Sequence, residues 1–144
     1  MLRAVYRWWA VLLFVLIVVQ VGLAGYGAFY AASKLDGEGA TIDEDTFMDG
    51  FGLHAGVGYL VILAGLIFLV IGLIAGIGKW RLGRHGLLAL LLIVQLFLAW
   101  FGFEEPVIGI FHPVNALVLF SLAGWTAWDE WRMSRAGTTP AAPT

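Results

Sequence analysis

Four apolar runs, each long enough to cross a bilayer, leave this chain almost no choice of fold. A membrane-crossing helix needs about 20 predominantly apolar residues. Such runs cover residues 8–32, 51–77, 87–103 and 106–128. The first holds no charge and is longer than a signal-peptide core of about 7–15 residues, so it reads as a retained helix. Pro106 opens the fourth, a first-turn position where its missing N–H is not needed. Helices satisfy every backbone group within one segment, and the alternation a barrel strand requires is absent. The expected fold is therefore an all-α integral membrane bundle of four transmembrane helices over residues 1–135. Residues 136–144, rich in Thr, Pro and Ala, read as a disordered tail.

Composition agrees. Only 12% of the residues are charged and mean hydropathy is +0.91, whereas soluble domains carry roughly 25% charge. Net charge is −2 without a basic tract, so nucleic acid is not an expected partner. The chain has no cysteine, which removes disulfides, thiolate chemistry, iron–sulfur clusters and covalent c-type haem.

Charge in the connections predicts orientation. Arg3, Arg7, Lys79, Arg81, Arg84, Arg132 and Arg135, seven of the eight basic residues, flank one side of the spans. Lys34 alone lies on the other side, among Asp36, Glu38, Asp43, Glu44, Asp45 and Asp49, and Glu104 and Glu105 fill the third connection. The positive-inside rule places both termini in the cytoplasm of a bacterial-type inner membrane. His85, beside Arg84, is assigned to the solvated connection, and no Asp, Glu, Lys or Arg falls within a span.

The first and third runs repeat. Val19-Gln20…Ala24…Gly27 matches Val94-Gln95…Ala99…Gly102 at an offset of 75, and Leu53-His54-Ala55 pairs with Phe111-His112-Pro113 at an offset of 58. Two helix hairpins related by a pseudo-twofold axis along the membrane normal follow. Each carries a mid-membrane Gln and then a His near the outer surface.

Ionisable groups inside a membrane are expensive, so each is a functional candidate. A lone interfacial His is usually just an amphipathic residue, and Gln or Gly is often helix-packing glue. Two histidines at one depth on symmetric helices point further, to the two axial ligands of a haem b iron. The expected cofactor-binding residues are His54 and His112 as iron ligands, with Gly58, Asn115, Gln20 and Gln95 around them. The Gly109 carbonyl freed by Pro113, or Asn115, is expected to orient His112. Filling both axial positions favours electron transfer or haem handling over oxygen activation, with a quinone or an extracytoplasmic redox partner and a homodimer allowed. Zinc or copper fits less well, because no Cys, Met or carboxylate shares the depth. The alternative is a cofactor-free scaffold or accessory subunit. A transporter lacks charged or broken spans, and a hydrolase lacks a nucleophile–base set.

At these residues the chain resembles a family of short bacterial four-span proteins defined as a domain of unknown function, most distinctly at His112-Pro113-Val114-Asn115-Ala116. More distantly it is similar to one half of haem A synthase, each half of which is a four-helix bundle with haem-ligand histidines on its second and fourth helices. That resemblance implies His54 and His112 as ligands of a single haem. The synthase's outer-loop cysteine pair and its Glu-containing motif have no counterpart here, so haem oxidation is not implied.

Overall fold

The computed structural model describes residues 2–35, 37 and 39–136. The chain forms α1 (Leu2–Ser33), α2 (Glu44–Ala75), α3 (Lys79–Glu104), a short α4 (Pro106–Gly109) and α5 (Phe111–Ala136). Four helical stretches, Ala4–Ser33, Glu44–Ala75, Lys79–Glu104 and Pro106–Ser134, are long and apolar enough to span a membrane. The protein is a multi-pass, all-α four-helix bundle. The tail over 137–144 lies outside the described residues, and Ala136 closes α5.

The helices outrun the apolar segments that seed them. Asp43 caps α2, its carboxylate accepting from the Thr46 backbone N–H at 2.8 Å, so helix begins at Glu44 and not at 51. Gly76 ends α2 with φ 59°, a left-handed conformation that suits glycine, and after Gly78 the next helix starts at Lys79. The basic residues of this connection therefore ride on the first turns of α3. In the fourth span, Pro113 offers no N–H to the Gly109 carbonyl. Ile110 keeps helical dihedrals (φ −59°, ψ −34°) and divides α4 from α5.

α1 packs on α2 and α5, and α3 packs on the same two helices, so α1 and α3 face each other across one diagonal and α2 and α5 across the other. Burial repeats at the sequence offsets. Leu13 and Leu88, and Ile17 and Leu92, are buried pairs at 75; Val61 and Leu119, and Phe68 and Thr126, are buried pairs at 58. The twofold relation of the hairpins is thus written into the core. Most other large apolar side chains, such as Phe29, Ile74, Val107 and Leu117, point outward, as a lipid-facing surface requires.

Candidate functional site

Each hairpin locks its histidine to its glutamine in both directions. In the first, Gln20 Nε2 donates to the His54 carbonyl at 2.9 Å, and His54 Nδ1 lies 3.1 Å from the Gln20 carbonyl. In the second, Gln95 Nε2 donates to the His112 carbonyl at 3.0 Å, and His112 Nδ1 lies 3.1 Å from the Gln95 carbonyl. A carbonyl oxygen only accepts, so both imidazoles carry their proton on Nδ1. In the neutral imidazole this tautomer leaves the lone pair on Nε2, on the other side of each ring. This is the arrangement in which a histidine binds a metal while a backbone carbonyl orients it.

The two rings meet across the α2–α5 diagonal, with centroids 6.2 Å apart and planes inclined by 68°. An imidazole nitrogen binds a transition metal at about 2 Å and sits about 1 Å from its ring centre, so imidazoles on opposite sides of one ion have centroids about 6 Å apart. The observed centroid separation is of that size. Among the described residues no group of three or more His, Cys, Asp or Glu side chains assembles. The available protein ligand set is two imidazoles. A haem iron needs only two, since the macrocycle supplies the rest, whereas zinc sites take three or four protein ligands.

The surrounding residues divide. Asn115 Nδ2 donates to Gln95 Oε1 at 2.7 Å and to the Leu91 carbonyl at 3.0 Å, so it fixes the glutamine and not the histidine. The Gly109 carbonyl does not orient His112 either; the Gln95 carbonyl holds that place. Gly109 instead packs against Gly102, where an added Cβ would stand 2.7 Å from the Gly109 Cα. Gly58 leaves room for the Gln20 amide, which a Cβ there would approach at 3.0 Å. Outside the His level, Phe51 lies edge-on to His54 and stacks on Phe47.

A second polar cluster occupies the opposite, basic end. His85 is not solvated: it is 1% exposed and stacks on Phe68 with centroids 4.1 Å apart. Its Nε2 lies 2.9 Å from the Tyr6 hydroxyl, which donates to Glu130 Oε1 at 2.9 Å. A phenol has one proton, so His85 Nε2–H is the donor to Tyr6. Arg81 binds Glu130 through two nitrogens, and Arg84 pairs with Asp129 at 3.0 Å. Glu130 is 5% exposed, and ionisable groups therefore do lie within the helices.

This cluster escaped the sequence reading because Arg84 and His85 are neighbours in sequence. Adjacent residues on a helix point about 100° apart, so an exposed neighbour says little. A signal was present in the repeat. The offset of 75 sets His85 against buried Ala10, and the offset of 58 sets Glu130 against buried Gly72. The second hairpin carries polar groups where the first is small, and His85 Nδ1 indeed lies against Gly72.

Comparison with protein-family models, with curated proteins and with solved structures finds no match.

Proposed function

We propose that the protein binds one b-type haem between α2 and α5, ligated by His54 Nε2 and His112 Nε2, for electron transfer or haem handling. One observation carries this reading: the reciprocal Gln–His clamp occurs twice, frees both Nε2 atoms, and brings the rings to 6.2 Å. The absence of cysteine leaves non-covalent haem. The resemblance of the chain to one half of haem A synthase supports the same ligand pair.

Two neutral nitrogen ligands would leave no resting site for oxygen, which favours a carrier over an oxygen-activating enzyme. By the positive-inside rule the site lies near the extracytoplasmic surface, beside the acidic residues Asp45 and Asp49. A quinone moving in the bilayer, or a basic extracytoplasmic protein, is a fitting redox partner.

The test is spectroscopic. Protein purified in mild detergent with haem supplied should show a Soret band and a low-spin ferrous spectrum on dithionite reduction, at one haem per chain. His54→Ala and His112→Ala should each abolish the six-coordinate spectrum. A colourless wild-type preparation refutes the reading. The Gln–His bonds would then serve as interhelical fastening alone, in a cofactor-free scaffold.

A further inference from the structure

The two hairpins do not hold their histidines equally. Gln95 is fixed at both ends of its amide: Nε2 on the His112 carbonyl, Oε1 on Asn115, and Asn115 in turn on Leu91. Gln20 makes only the first of these bonds. Its Oε1 is buried without any hydrogen-bond partner. The offset that pairs His54 with His112 pairs Asn115 with Val57, which has no donor to give.

A buried acceptor without a donor is costly, and this one is sealed from solvent, so relief comes only when Gln20 moves. Moving it breaks the bond from Nε2 to the His54 carbonyl. His54 is then held by a single bond to a backbone oxygen.

We infer that, in the haem-bound protein, His54 is the exchangeable axial ligand and His112 the fixed one. The ferrous haem then takes a small neutral π-acceptor ligand, of the carbon monoxide class, on the His54 side. This rests on the haem reading above. The exchange is balanced: the iron–Nε2 bond to His54 breaks, the iron–carbon bond forms, and the imidazole leaves neutral with its Nδ1 proton still on the Gln20 carbonyl. No electron or proton is transferred.

Carbon monoxide added to the reduced, haem-loaded protein in detergent is the probe. An adduct should form at a rate that saturates with carbon monoxide concentration, because departure of His54 limits it. His54→Ala should remove the saturation and give the same adduct spectrum. Val57→Asn, which supplies Gln20 with the missing donor, should slow adduct formation about tenfold. If Val57→Asn does not fold, Asn115→Val serves instead: unfixing Gln95 should add a second kinetic phase from His112. A haem protein with a bis-histidine spectrum that ignores carbon monoxide, or variants that leave the kinetics unchanged, overturns this inference and leaves the haem reading standing. A protein that takes up no haem overturns both.

Discussion

The Tyr6 hydroxyl donates to Glu130 Oε1 at 2.9 Å, joining the first helix to the last across 124 residues of sequence. Because Glu130 also holds Arg81 and lies 3.5 Å from Arg84, and Tyr6 receives His85, three helices are tied through one carboxylate. Removing one partner of a buried pair typically costs about 3–5 kcal/mol. Arg81 is 31% exposed and can turn to water, so Glu130→Ala should cost about 2–3 kcal/mol. Tyr6→Phe, which strands the His85 Nε2–H, should cost about 1–2 kcal/mol. The double variant should lose less than the sum, because both act on one network. Unfolding midpoints in detergent measure all three, and strict additivity would show that the chain of bonds is not a unit.

The Gln95 side chain and the Gln95 backbone do different work. The backbone carbonyl sets the His112 tautomer, and the side chain braces the helix beside it. On the proposed haem reading, Gln95→Ala should therefore weaken haem binding about tenfold, in the range seen when a ligand's supporting partner is lost, without moving the Soret band. Asn115→Ala should act in the same direction, since it frees the same amide. Haem titration followed by absorbance reads both numbers. A shifted spectrum with unchanged affinity would contradict this division of roles.

The spans were legible because an apolar run of membrane length has one stable outcome in lipid, and the facing of His54 and His112 followed from the repeat. The helix ends were not. Lys79 and Arg81 look like loop residues until Gly76 and Gly78 are seen to make the whole turn between them, and Asp43 is one acid among several until it is seen to cap. The reciprocal bonds of Gln20 and His54 depend on how α1 rotates against α2, which an apolar sequence with no polar stripe does not encode. His85 was misplaced for the opposite reason: its charged neighbour was informative about Arg84 alone.

Asp43 gives the acidic end a pH-dependent element. Hydrogen bonding from Thr46 holds its carboxyl below the usual range. A carboxylate whose pKa is lowered on folding stabilises the fold above its unfolded value, about 3.9. That contribution is lost as pH falls through the lower, folded value. The start of α2 should thus be insensitive to pH between about 5 and 8 and fray below about 4. Hydrogen exchange at the Thr46 amide checks this. Protection relative to Asp43→Ala should be greatest near neutrality and vanish in acid, while Asp43→Asn, a cap without charge, should show no such dependence.

The two hairpins also differ in how their glycines close the bundle just beyond the histidines. A Cβ on Gly102 would stand 2.7 Å from the Gly109 Cα and 3.2 Å from its backbone nitrogen. Neither atom can turn aside, so Gly102→Ala must push α3 and α4 apart three residues before His112. The paired Gly27 faces a side chain instead: its Cβ would meet the Phe51 ring at 2.6 Å, and a ring can shift. Overpacking a close contact costs typically about 1–3 kcal/mol, and Gly102→Ala should fall at the upper end with Gly27→Ala below it. Gly102→Ala should also lengthen the bond from His112 to Gln95 and, if the proposed haem site holds, weaken haem binding, whereas Gly27→Ala should disturb the Phe51–His54 contact and leave His112 unaffected. Thermal unfolding and haem titration of the two variants side by side decide the matter. Should Gly27→Ala prove the more damaging, the close approach of α3 to α4 is not what shapes this end of the site.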